Sequence, residues 1–150
     1  MSNMNINTSR FGTIRASEQA IFTFPYGVIG FPTLTRYLLL DHDRDAPFKW
    51  LQSVDQETLA FVVTDPILCK SDYRVVLSQD DMTDLKLSSE EDLAVMVILT
   101  IPPDDPSQIT ANLRGPLVVN QRCRLAKQLI LNEEHPTRHR LFPQTIQSFT

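Results

Sequence analysis

The clearest pattern in the chain runs from Pro47 to Pro66, PFKWLQSVDQETLAFVVTDP. Phe48, Trp50, Gln52 and Val54 share one side, and Lys49, Leu51 and Ser53 the other. After a polar break at Asp55-Gln56-Glu57-Thr58 the alternation resumes, with Leu59, Phe61 and Val63 opposing Ala60, Val62 and Thr64. A period of two, rich in β-branched and aromatic residues, predicts strands. A short polar link carrying Asp predicts that the two form a hairpin. Pro66 ends the second strand, because proline has no N–H to donate to a ladder. The only tryptophan lies here, so a core is expected to form around this hairpin.

The same reading extends outward. Residues 1–10 are polar and expected to be loose. Phe11–Ile14 and Ile21–Phe24 read as short strands, the second stopped by Pro25. Pro25-Tyr26-Gly27 is turn chemistry. The apolar loop Val28–Pro32 after it either packs under the turn or contacts a partner. Leu34–Leu40 reads as a strand. The charged loop Asp41-His42-Asp43-Arg44-Asp45 lacks the Gly and distal Glu of a calcium loop.

Beyond the hairpin, Tyr73–Leu77 alternates and predicts a strand. Ser78 then caps a short helix with Asp80 and Asp81 in its first turn, where the helix dipole favours carboxylates. Met82 and Leu85 face the core from that helix. Ser88-Ser89-Glu90-Glu91 repeats a capping-box spacing. Leu93–Ile101 is the longest apolar run, and without alternation it predicts a strand buried on both faces. Ile109, Ala111 and Leu113 alternate with polar neighbours, Gly115-Pro116 bends the chain, and Leu117–Asn120 continues as strand. Gln121–Ala126 is a basic loop, and Lys127–Leu131 the last strand. From Asn132 the chain is polar, is interrupted by Pro136 and Pro143, and either stays loose or docks by Leu141 and Phe142.

About nine short strands and one short helix predict an all-β fold, barrel or sandwich. Closure into a small antiparallel barrel-like domain would protect its edges. A length of 150 residues suits one domain, with its core at about 11–132 and a loosely ordered tail at 133–150. No run reaches the ~18 apolar residues of a membrane helix. The start, MSNMNINTSR, lacks a secretory pattern, so a cytoplasmic protein is expected, with Cys69 and Cys123 as free thiols.

The net charge is -4, unevenly distributed. Ser78–Asp105 holds eight acids against Lys86, whereas Pro106–Thr150 holds Arg114, Arg122, Arg124, Lys127, Arg138 and Arg140 against Glu133 and Glu134. An acidic and a basic patch follow if the fold keeps the segments apart. Catalytic signatures are missing: four glycines leave little room for a phosphate loop, and there is no nucleophile elbow. Cys69 beside Lys70 could form a thiolate, but no base is nominated. His135 and His139 have helical spacing, yet Pro136 between them opposes a zinc helix. No catalytic residue, metal or cofactor is therefore expected. A nucleic-acid module using the C-terminal basic residues is the alternative. The acidic balance and the absence of interleaved aromatics oppose it.

FPYGVIGF (Phe24 to Phe31), the hairpin Pro47 to Pro66, LAVMVILTIP (Leu93 to Pro102), TANLRGPLVVN (Thr110 to Asn120) and KQLIL (Lys127 to Leu131), in this order and spacing, resemble the flagellar assembly factor FliW family. The resemblance covers most of residues 11–132. It implies an all-β, barrel-like fold, no enzyme activity and two protein partners. One is flagellin, held through its C-terminal region before export. The other is CsrA, the RNA-binding repressor of flagellin translation, whose antagonism by the freed factor releases the flagellin message. No direct nucleic-acid or membrane contact is implied. An acidic surface suits a partner that binds RNA. Asp80, Asp81, Asp84, Glu90, Glu91 and Asp92 are the expected CsrA-facing set. Ile29, Phe31 and Tyr37 are the apolar candidates for flagellin. Tyr26 departs from relatives, many of which carry an acid after Phe-Pro.

Overall fold

The computed structural model describes residues 3–41 and 47–141. Its strands are β1 (Asn3–Thr8), β2 (Gly12–Ser17), β3 (Phe22–Thr23), β4 (Arg36–Asp41), β5 (Lys49–Ser53), β6 (Ala60–Thr64), β7 (Leu93–Thr100), β8 (Thr110–Ala111), β9 (Leu117–Asn120), β10 (Leu125–Gln128) and β11 (His139–Arg140). A single α-helix, α1 (Gln79–Asp84), accompanies them among the described residues. Strand order runs β3-β4-β5-β6-β7, and β7 then pairs with β9, β9 with β10, and β10 with β3. This ring closes a seven-strand barrel, which leaves no long open edge in the wall. β7 also pairs with β8 through Leu99 and Thr100, and β11 extends that flap.

The pairings are antiparallel except at the seam between β3 and β10, where Leu125 faces Thr23 in one parallel bridge. The Thr23 N–H donates to the Arg124 carbonyl at 2.8 Å. The next donor on that edge falls at Pro25, which has none, so the seam parts there.

Alternate residues fill the barrel: Phe22, Tyr37, Leu51, Val63, Leu117, Val119 and Ala126 form one buried cluster. The outer wall is covered in three places. The β1–β2 ribbon packs Ile6 over Leu38. The stretch from Cys69 to Tyr73, with Leu141, covers Val97 and Leu99. The helix end at Leu85 and Leu87 covers Val118. Each such side chain contributes roughly 1.5–3 kcal/mol when fully removed from water.

The hairpin forms as expected, with Leu51 facing Phe61 and Trp50 facing Val62. The core lies on the Leu51 side. Trp50 is half-buried outside the barrel, 6.3 Å from the Phe11 ring and under the Arg10 guanidinium at 4.3 Å. The helix also forms as expected. The Ser78 hydroxyl accepts from the Asp81 N–H, and the Asp81 carboxylate accepts from the Ser78 N–H.

Other expectations change. Residues 3–8 are not loose: they pair with β2 from Asn3↔Ser17 to Thr8↔Gly12, with Ile6 and Thr8 buried and Asn3, Asn5 and Asn7 exposed. Tyr73–Leu77 alternates as read but joins no sheet. β7 is buried only at Val97 and Leu99: Leu93 and Val95 are half-buried on the outside, and Ala94, Met96 and Ile98 are half-buried on the barrel side. The last barrel strand begins at Leu125 and ends at Gln128. The stretch from 133 is held where it is described: the Leu113 N–H donates to the Pro136 carbonyl at 3.0 Å, β11 pairs with β8, and Leu141 is buried. Phe142 lies outside the described residues, as do His42, Asp43, Arg44 and Asp45 of the charged loop.

Candidate protein-binding surface

The parted seam is filled by the loop from Phe24 to Leu34. Phe24 and Val28 are buried and anchor it inside the barrel. The Phe31 N–H donates to the Val28 carbonyl at 2.7 Å, folding the loop back on itself. Gly27 makes this possible. It has φ of +70°, and a Cβ there would collide with the Phe31 carbonyl and Pro32. From the facing strand, the Gln128 Oε1 accepts from the Ile29 N–H at 2.8 Å, while its Nε2 donates to the Gly115 carbonyl at 2.9 Å. The loop is thus tied down at both ends and in the middle. It turns outward Tyr26 (64 % exposed), Ile29 (59 %) and Phe31, whose ring packs edge-on against Phe61 at 5.8 Å. Large apolar groups held at the surface are binding material.

Of the apolar candidates, Ile29 and Phe31 lie on this surface and Tyr37 does not. Tyr37 is 0 % exposed, at an inward position of β4 between Phe24 and Phe61. Its hydroxyl is buried without a hydrogen-bond partner among the described residues, and burial pushes it up to about 12. Its place in a six-residue strand with period two sends it inward, so it offers nothing to a partner. Tyr26 is exposed on the same surface and is not among the apolar candidates named from the sequence. Its signal was its position in the middle of Pro25-Tyr26-Gly27, since turn centres face solvent.

The acidic set divides. The Lys127 ammonium sits 2.9 Å from both the Asp81 and the Asp84 carboxylates. Arg122 lies 3.4 Å from Asp92. Asp80, Glu90 and Glu91 remain as exposed acids. Burial by itself would raise the Asp81 carboxyl. Hydrogen bonds from Lys127 and Ser78 outweigh that and hold it below the ordinary carboxylate value. Burial likewise opposes the Lys127 charge, but the two carboxylates outweigh it and raise the ammonium above its ordinary value. The fold does not keep the acidic and basic segments apart, because the barrel brings β10 against α1.

The same pairing removes much of the basic set. Lys127 and Arg122 are engaged, and the Arg124 guanidinium lies over the Phe22 ring at 4.9 Å. Arg114 donates to the His135 carbonyl at 2.8 Å. Arg138 and Arg140 are exposed. Lys127 also stands 5.8 Å from the Tyr26 ring, so the apolar loop and the acidic helix adjoin.

Other candidate chemistry is structural. Cys69 is buried, and burial, aided by Asp65, pushes its thiol up to about 11, the opposite of an activated nucleophile. His139 Nε2 lies 3.1 Å from the Cys69 carbonyl, and the His135 ring packs edge-on against Tyr73. Among the described residues, no group of three or more His, Cys, Asp or Glu is placed to hold a metal. No described helix is long and apolar enough to cross a membrane.

Known proteins share this fold. The family model described as FliW protein matches residues 5–141. The flagellar assembly factor FliW of Natranaerobius thermophilus is 40% identical over 140 residues, spanning 93% of each chain. That of Leptospira interrogans serovar copenhageni is 35% identical over 140 residues, again spanning 93% of each. A crystal structure of the flagellar assembly factor FliW superposes with a TM-score of 0.85 at 38% identity, covering 93% of this chain and 98% of that one.

Proposed function

The chain belongs to the FliW family, and from that premise we propose that it acts in flagellar assembly as a non-enzymatic, cytoplasmic, protein-binding regulator. It holds flagellin through the loop Tyr26–Phe31 before export. When flagellin leaves, it binds CsrA and relieves repression of the flagellin message. The observation that carries this reading is the seated apolar loop: Tyr26 and Ile29 are exposed while Gln128, Val28 and Gly27 fix the backbone beneath them. A surface built in advance loses little entropy on binding. Asp80, Glu90 and Glu91 supply the negative field toward an RNA-binding partner, reaching about 10 Å at ordinary salt.

The test is calorimetric titration with CsrA, alone and after saturation with flagellin. Loss of CsrA binding in the saturated sample supports the switch, and retention removes it. Tyr26→Ser with Ile29→Asp is expected to weaken flagellin binding at least about tenfold, the loss of ~1.4 kcal/mol. Unchanged flagellin affinity in that variant would move the site elsewhere.

A further inference from the structure

The segment Tyr73–Leu77 has a strand sequence and a strand-like alternation of covered and exposed residues but no strand neighbour. Tyr73 is buried, with its hydroxyl donating to the Leu113 carbonyl at 2.7 Å, and Val75 and Leu77 are half-buried against the barrel wall. Arg74 and Val76 point outward, Val76 being 87 % exposed. From Arg74 to Leu77 no backbone N–H or C=O is hydrogen-bonded to another described residue. Such groups need partners, and here they have none among the described residues.

Beside this edge lies a groove of about 330 Å³. Its floor is the outward side of β7, Leu93 and Val95, and its far wall is Ile67 with Asp65 at its end. These β7 side chains are only partly covered. An unpaired edge next to an apolar floor is the geometry of strand addition: the ladder supplies affinity, and alternate side chains reach the floor.

We infer that this edge is a docking site for an extended segment of a partner protein, with apolar residues at alternate positions and basic residues between them. The charge argument selects that chemistry. Asp65 lines the groove, Asp72 precedes the segment, and the exposed Glu90 and Glu91 lie just before Leu93, against Lys70 and Arg74. A second copy of this chain brings the same acids and a net charge of -4, and so opposes pairing with itself. The inference does not depend on which partner the Tyr26–Phe31 loop holds.

The probe is a blocked synthetic peptide of about eight residues alternating Lys and Val, long enough for one strand. A second peptide is N-methylated at alternate residues, which keeps its side chains but removes ladder donors. Amide hydrogen exchange is followed residue by residue in the full chain. Amides within 74–77 are expected to exchange freely in the protein alone and to slow about tenfold or more with the first peptide only. Ile67→Arg, an exposed wall position, is expected to weaken that peptide about tenfold with β5 and β6 protection unchanged. No binding, equal binding of the N-methylated peptide, or protection elsewhere would overturn the inference. So would a concentration-dependent dimer with 74–77 protected, which would assign the edge to a second copy.

Discussion

β6 and the segment 73–77 look alike as sequence, AFVVT against YRVVL, yet the fold treats them differently. β6 pairs with β5 through four residue pairs and with β7 through three. The 73–77 segment buries one face and, from Arg74 to Leu77, leaves both edges without a backbone partner among the described residues. The contrast separates two things that a strand pattern runs together. Alternation specifies which side chains leave water, a property each residue carries with it. Pairing needs another backbone about 4.8 Å away, and no residue encodes that alone.

Proline tests the contrast most strongly. Val62→Pro removes an N–H from a strand flanked on both sides and is expected to cost about 3 kcal/mol or more, a large share of a domain's stability. Val76→Pro removes an N–H that bonds to no described residue and is expected to change urea stability by less than about 1 kcal/mol. Equal losses would mean that 73–77 is a paired strand in solution.

Side-chain truncation comes next. Val63→Ala, at 0 % exposure in the barrel, is expected to cost about 2 kcal/mol in denaturant titration. Val76→Ala is expected to stay within about 0.5 kcal/mol. A large loss at Val76 would show that its outward face is covered.

The smallest of the three expected losses, after those at Val62 and Val63, concerns the anchor that follows the open segment. Lys127→Ala is expected to cost about 1–2 kcal/mol, since it strips Asp81 and Asp84 of a partly buried partner. Its pH dependence follows from two opposite shifts. The Asp81 carboxyl is held below its ordinary 3.8, so its contribution is present above that pH and lost as pH falls through the lowered value. The Lys127 ammonium is held above its ordinary 10.5, so its contribution is full below that pH and lost as pH rises through the raised value. The stability difference between wild type and variant should form a plateau between these limits and shrink at both ends. Exchange protection should fall in α1 before β6; a uniform fall would show that the helix and barrel open together.

Particular residues show how far the pattern could be read. The hairpin was legible because Leu51, Phe61 and Val63 alternate strongly over two runs. The α1 cap was legible because Ser78 and Asp81 are local partners three residues apart. β1 was passed over because Asn3, Asn5 and Asn7 dominate its composition, although Met4, Ile6 and Thr8 kept the period of two. Of the candidate surface, Ile29 and Phe31 were legible as a loop after turn residues. Tyr37 was misplaced because an aromatic in a short strand gives no sign of which face is inward.

By itself the sequence determined the all-β class, most strand positions, the helix cap and the turn that carries Tyr26. These depend on contacts within a few residues or on the burial preference of each side chain. Tertiary structure alone decided the closure of the barrel through β7–β9 and β3–β10, and the exit of Trp50 to the outer wall. It also decided the union of Lys127 with two aspartates more than forty positions away. The physical reason is that registers and ion pairs between distant segments depend on where the barrel places their backbones, and local pattern carries no information about distance.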